Sequence, residues 1–383
     1  MAMKPAMTHR ERVLATLNHE EPDRVPIDFS STRCTSIHVD GYQRLKEHFG
    51  SDAPDVISDR MMQCVLVDDR ILEQMDTDTR GIIPGAAEKT PDLEIDEITY
   101  RDEWGVVRSK PQGSYWYDLR GKPALAGEIT VQDILRHPWP DPEDPGRLKG
   151  VRQRALELKE KGDWALVLNL SVGTVHISQY LRGFTDWYMD MAADQALIGA
   201  LMDAITDVTT VMARNLMLEV GDLADVIFTG DDLGTQNGPQ VSPATYRKVI
   251  KPRHARFYRQ IQEMCPHAKI LLHTCGSVYL LLDDLVDIGV QALNPIQVHA
   301  RDMDPVRLKR EYGDKLCFWG GIDTQEVLPH GTPHDVKAEV RRRIAEMGPG
   351  GGYILTGVHN LQPDVPTRNL LAMYEHAREV GVY

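Results

Sequence analysis

DVIFTGDDLG (Asp225–Gly234), SPATYRKVIKPRHARFYRQIQEM (Ser242–Met264) and KILLHTCG (Lys269–Gly276) decide the fold. The first and third are short apolar runs ending in polar residues, bounded by glycine, and read as strands buried on both faces. The segment between them starts with Ser242 as N-cap and Pro243 at the first helical position, and reads as a helix. Strand, helix and strand in this order form one parallel crossover unit.

The same alternation runs outward in both directions. Upstream, RVPIDF (Arg24–Phe29) reads as a first strand. A helix over Leu148–Lys161 leads to the strand ALVLNLSV (Ala165–Val172), and a long helical stretch over Asp194–Val220 follows. Downstream come the strands QALNPIQ (Gln291–Gln297), LCFWGGID (Leu316–Asp323) and GYILTGVHN (Gly352–Asn360), separated by helical patterns. Thr8 with Glu11 has capping-box spacing, and Thr332-Pro333-His334-Asp335 starts a further helix. No GxGxxG turn follows any strand, so an open dinucleotide-binding sheet gains no support. The expectation is a single α/β domain over residues 1–383, a (β/α)8 TIM barrel. Two segments interrupt it. Residues 84–127, with EITYRDEWGVVRSK and GSYWYDLRG, alternate in the manner of strands and read as an antiparallel β excursion in the N-terminal third. HPWPDPEDPGR (137–147) reads as an irregular Pro-rich linker.

Composition bounds the function. The chain has 383 residues, 42% hydrophobic and 26% charged, with a formal net charge of −14. That balance argues against a nucleic-acid surface and gives no reason for docking on anionic lipid. The N-terminal residues lack an apolar signal core, and no apolar run reads as a membrane span, so a cytoplasmic protein is expected. Five scattered cysteines, Cys34, Cys64, Cys265, Cys275 and Cys317, do not make a secreted disulfide framework. Four of them read as reduced core thiols.

In a closed barrel the chemistry sits at the C-terminal strand ends. Asp28 and Arg33 end the first strand. Asp231 and Asp232, followed by Gln236 and Asn237, end the 225–234 strand. His273 and Cys275 end the 269–276 strand, Asn294 and Gln297 the next, and His359, Asn360 and Gln362 the last. Residues two apart on an extended strand point the same way, so His273 and Cys275 offer nitrogen and sulfur together, the donors zinc prefers. The alternative is a buried thiol beside a hydrogen-bonded histidine. His359 reads as a third ligand or a rim histidine that contacts substrate. Asp231 and Asp232 read as a fourth ligand, a general base or a substrate anchor.

The stretches RERVLATLNHEEPDRVPIDF (10–29), DDLGTQNGPQVSPATYRKVIKPRHARFY (231–258), LLHTCGSVYLLLDDLVDIGVQALNPIQ (271–297), FWGGIDTQEVLPHGTP (318–333) and GGGYILTGVHNLQPDVPTRNLL (350–371) together resemble the uroporphyrinogen decarboxylase superfamily. The HTCG at His273–Gly276 resembles its zinc-dependent, corrinoid-linked methyltransferase branch. The arginine-rich RQAGR stretch of the true decarboxylases is replaced here by DFSSTRCTSIHVDGY, with Arg33 alone. One arginine serves a substrate with many carboxylates poorly. The resemblance implies zinc held by His273 and Cys275, with His359 where that branch has a late cysteine. It also implies a corrinoid on a partner protein, a small methylated substrate of ether, amine or thiol type, and a homodimer. Asp28, Asp231 and Asp232 are the expected catalytic residues. Arg33, Gln236, Asn294, Gln297 and Gln362 are the expected substrate contacts. The alternative is a metal-free decarboxylase of a small carboxylate, with Asp28 or Asp232 placing the substrate and Arg33 pairing it.

Overall fold

The computed structural model describes residues 6–170 and 173–383. Its centre is a seven-stranded parallel sheet in the order Thr79–Ile82, Ala165–Asn169, Val226–Gly230, Lys269–His273, Ala292–Asn294, Cys317–Trp319 and Tyr353–Ile354. Nearly every residue of these strands is buried, as expected where helices cover one face and a core fills the other. The sheet curls until its two edges are joined by the segment around Ile27. Asp28 N donates to Leu355 O, Leu355 N to Pro26 O, and Asp78 N to Ile27 O. The architecture is therefore α/β and TIM-barrel-like. Residues 24–29 supply isolated bridges rather than a regular strand. Pro26 has no N–H to give to a ladder.

The strand Thr79–Ile82 is absent from the sequence reading. Its residues, TRGI, show no apolar run, yet Thr79 and Arg80 are buried and Arg80 lies 4.1 Å from the Trp164 ring. Asp78, just before it, is an ionic hub. Its carboxylate accepts from Arg12 Nη1 (2.6 Å), Arg24 Nη1 (2.8 Å), His9 Nδ1 (2.8 Å) and the Ile27 amide (2.7 Å). These bonds tie the helix His9–Leu17 and the Arg24–Ile27 segment to the base of the sheet. At the other end of the strand, Gly81 packs against the loop after Phe29. A side chain there would start 2.6 Å from the Ser31 carbonyl oxygen. Gly81→Ala is therefore expected to cost about 1–3 kcal/mol, the usual range for overpacking. Urea denaturation reads the loss, and an unchanged midpoint would count against this contact.

The helices agree closely with the patterns. Thr8 and Thr332 both complete capping boxes, with Glu11 and Asp335. Asp194 caps Gln195–Val220. By length and composition this helix could cross a membrane, and over half of its most apolar stretch is buried inside the protein. Helices at Thr174–Arg182, Phe184–Ala193 and Val131–Arg136 were not expected. The last two positions of the expected strand Ala165–Val172 lie outside the described residues, as does the start of the chain. The excursion is a four-stranded antiparallel sheet, Leu93–Asp96, Thr99–Arg101, Val107–Ser109 and Asp118–Leu119. The Pro-rich linker is irregular up to a 3-10 turn at Pro145–Leu148, where Asp144 caps the turn and Pro145 fits its first position.

Candidate active site

Three neighbouring strands meet in register at one level of the sheet. His273 pairs with Gly230 on one side and with Asn294 on the other. The residues that follow Gly230 and His273 therefore emerge side by side. Cys275 lies past the end of its strand. Its amide donates to Asp232 Oδ1 (2.7 Å), and its Sγ is 3.4 Å from His273 Nε2. Gly276 makes this turn possible. Its φ is +84°, and a Cβ there would lie 2.5 Å from the Gly234 backbone.

His273 is 5% exposed. Its Nδ1 donates to Asn294 Oδ1 at 2.5 Å. Asn294 Nδ2 donates to the Trp319 carbonyl at 3.0 Å, which fixes the amide so that its oxygen faces the ring. The Nε2 lone pair of His273 is thus free, and it faces Cys275 and, at 3.9 Å, Asp232. Burial holds this imidazole down to about 4, against the pull of Asp232, so it is neutral at pH 7. His359 repeats the arrangement. Its Nδ1 bonds Asn360 Oδ1, its ring centroid is 5.2 Å from that of His273, and burial lowers it too. Burial, with Asp232 adding to it, raises the Cys275 thiol well above its ordinary value. A thiolate here needs a cation beside it.

The two aspartates have separate duties. Asp231 is buried and accepts from the amides of Val175 (2.8 Å) and His176 (3.0 Å) and from His254 Nε2 (3.1 Å). It caps the first turn of Thr174–Arg182, where the unpaired N–H groups of a helix favour a carboxylate. Asp232 faces the centre. Its Oδ2 is 3.2 Å from His176 Nε2. Burial opposes charge on both partners, but their pairing outweighs it and holds Asp232 far below, and His176 above, their ordinary values.

Other expected residues are placed differently. Asp28 is fully buried and accepts from Thr79 Oγ1 (2.6 Å), the Ser31 amide (3.2 Å) and Trp319 Nε1 (2.9 Å). These bonds turn its carboxylate toward Thr79, Ser31 and Trp319 inside the barrel. Asn294 orients His273 instead of a substrate. Gln297 Oε1 accepts from the Gly276 amide at 2.6 Å and so steadies the Cys275 turn. Gln236 is exposed in the hairpin Gly234–Pro239. Gln362 keeps a buried Oε1 without a protein partner. Arg33 is partly exposed, its Nη1 3.6 Å from Asp59 Oδ2 and its Nη2 beside Gly230.

Three residues of the centre escape the sequence reading. Cys34, expected as a core thiol, has its sulfur, with one nitrogen each of His273 and His359, in a cluster whose atoms all lie within 4.8 Å of one another. Asp232, His273 and Cys275 form a second such cluster. His176 begins a helix that no pattern announced. Arg108 comes from the excursion and sits 4.6 Å from the ring of Tyr180, which stacks on His176 at 5.7 Å. The strand Val107–Ser109 thereby reaches the neighbourhood of the site. The one signal available for Cys34 was its place beside Arg33 in a rim loop. An enclosed cavity of about 90 Å³ lined by Trp104, Arg147 and Met212 lies elsewhere and holds none of these residues.

The comparisons with known proteins agree with this picture. The first relative is a methylated-thiol–coenzyme M methyltransferase of Methanosarcina mazei, 25% identical over 271 residues, 70% of this chain and 68% of the relative. A methylcobamide:CoM methyltransferase, MtaA, of Methanosarcina barkeri is 27% identical over 176 residues, 45% of this chain and 47% of its own length. Uroporphyrinogen decarboxylases also match, at 23% to 27% identity. A solved methyltransferase from Methanosarcina mazei shares the fold, with a TM-score of 0.65 at 19% identity over 98% of this chain and 99% of that one. The family model for uroporphyrinogen decarboxylase (URO-D) matches residues 114–380. With that match over more than half of its length, the chain belongs to the uroporphyrinogen decarboxylase family.

Proposed function

We propose that the protein is a zinc-dependent methyltransferase. It moves a methyl group from a small methylated substrate, of ether, amine or thiol type, to a corrinoid protein, or runs the reverse transfer to a thiol. The observation that carries this reading is the donor set. His273 offers a neutral Nε2 whose other nitrogen is already engaged, 3.4 Å from the Cys275 sulfur, with Asp232 and His359 beside them. That set fits zinc, which takes nitrogen, sulfur and carboxylate oxygen. When bound, zinc would supply Lewis-acid chemistry, carrying the negative charge of a leaving or attacking heteroatom.

The chain's own side chains do the rest. Asn294 keeps the His273 ring in one tautomer and one orientation. Asp232 anchors the Cys275 turn and, by pairing with His176, raises that imidazole above its ordinary value. Arg33 offers a cation at the rim to an anionic part of a substrate. The methylcobamide and methylated-thiol relatives support a corrinoid partner and a methylated substrate. Neutral imidazoles and free thiols at the centre fit a reducing, cytoplasmic setting. A metal-free decarboxylase of a small carboxylate is favoured less, because it gives no role to the nitrogen and sulfur donors gathered around His273.

Elemental analysis, combined with an assay of methyl transfer to a reduced corrinoid protein, tests the reading. About one zinc per chain is expected, with transfer lost on chelation and restored by zinc. Protein that holds no zinc and takes up none on addition would sink it.

A further inference from the structure

We propose that Cys34 is a zinc ligand of this protein, so that two thiolates and not one hold the ion. The inference rests on the zinc reading above and goes beyond the ligands His273, Cys275 and His359.

The observation is the pair of donor clusters that share His273. One holds Asp232 and Cys275, the other Cys34 and His359. The two are faces of a single centre, because both are built on the one His273 imidazole. Cys34 differs from the other buried thiols. Cys317 donates to the Thr16 carbonyl at 3.5 Å, and Cys64 accepts from Asn360 Nδ2 at 3.0 Å. Both therefore have ordinary packing roles. Cys34 has two imidazoles within 4.8 Å of its sulfur, both engaged at Nδ1 by asparagine oxygens that leave Nε2 to the centre.

The loop that carries Cys34 is built to hold it still. Ser30 N donates to Thr35 O (2.9 Å), Thr35 N donates to Thr32 O (3.1 Å), and the Thr32 and Thr35 hydroxyls meet at 3.2 Å. The loop is anchored below by Asn169 Nδ2, which donates to Ser31 O at 2.9 Å, and by the close approach of Gly81. A sulfur fixed this way reaches the ion without a loop rearrangement.

Charge favours the same assignment. A buried dication with one thiolate and neutral imidazoles keeps a net positive charge away from water, which is costly. A second thiolate cancels it. Asp232 is the weaker competitor for that role, since both its oxygens are committed, to the Cys275 amide and to His176. His273, Cys275 and Cys34 thus form the lasting set. His359, in the same cluster as Cys34 and His273, would be a further donor beside them.

The test uses the holoenzyme and its cobalt(II)-substituted form. Per bound cobalt, the thiolate-to-metal charge-transfer absorption of Cys34→Ser is expected to fall by about half, as it does in Cys275→Ser, with no change in Cys317→Ser. Zinc-edge X-ray absorption of the wild-type holoenzyme is expected to show two sulfur neighbours near 2.3 Å. One sulfur neighbour, or full charge-transfer intensity in a metal-loaded Cys34→Ser, overturns the assignment and leaves the zinc reading standing. A wild type that binds neither metal overturns both. The X-ray measurement needs no variant, so it decides the matter even if Cys34→Ser does not fold.

Discussion

The His273→Ala protein is expected to fold and to bind no zinc. The strand Lys269–His273 is held by backbone ladders to both neighbours, and the imidazole takes no part in them. Among the described residues the side chain bonds only Asn294 and the Cys275 sulfur, so its loss leaves little else unpaired. Yet it is the member shared by both donor clusters, and no other group replaces it. Circular dichroism would report an intact fold, and elemental analysis a zinc content near zero. Stoichiometric zinc in this variant would show that the ion is held elsewhere. Asn294→Leu provides the graded version. It keeps the bulk but removes the acceptor that fixes the ring, and zinc affinity is expected to fall by about 10–100-fold, the usual effect of losing such a partner. Competition with a chromophoric chelator measures it. An unchanged affinity would mean that packing alone orients the ring.

Asp78→Ala is expected to cost about 3–5 kcal/mol, the range for stripping one partner from a buried ion pair. The carboxylate is fully buried between Arg12 and Arg24, and its removal leaves two guanidinium groups facing each other beneath the sheet. Arg12 retains Asp23 and Arg24 retains Asp76, which keeps the loss from being larger. The Ile27 amide also loses its acceptor, so the closure of the sheet weakens as well. Urea denaturation reads the effect, and a loss below about 1 kcal/mol would refute the hub. The same group gives a pH dependence. Burial alone would raise its pKa, but His9, Arg24 and Arg12 outweigh burial and hold it below the ordinary value. Its stabilising contribution is therefore complete above the unfolded pKa of about 3.9, and is lost as pH falls through the lower folded value. Wild type should lose stability across that acid window, and Asp78→Ala should lose less.

Much of the fold was legible because burial leaves a mark on residue type. Val226–Gly230 and Lys269–His273 are apolar since both faces of the sheet are covered. Thr79–Ile82 was not legible, since its burial is satisfied by hydrogen bonds and by Arg80 stacking on Trp164. At the site, His273 and Cys275 stood out because they are close in sequence. Cys34 and His176 did not, because the fold brings them together from a loop and a helix far apart in sequence. Asn294 and Gln297 were legible as polar strand-end residues, but their protein partners were not. Sequence shows that an amide stands at a strand end, and only the hydrogen bonds show that it faces a histidine or a glycine amide.

The joining of the sheet's edges through Ile27 and Leu355 has a consequence for biosynthesis. During synthesis Arg33 and Cys34 emerge long before Leu355 and His359. The loop bearing Cys34 cannot take its final position until the last strand arrives, since contacts so distant in sequence form late. A ribosome-bound chain that stops before Tyr353 would carry the thiols and His273 without the frame that gathers them. On the zinc reading proposed above, acquisition of the ion would follow completion of the ring and not the appearance of the ligands.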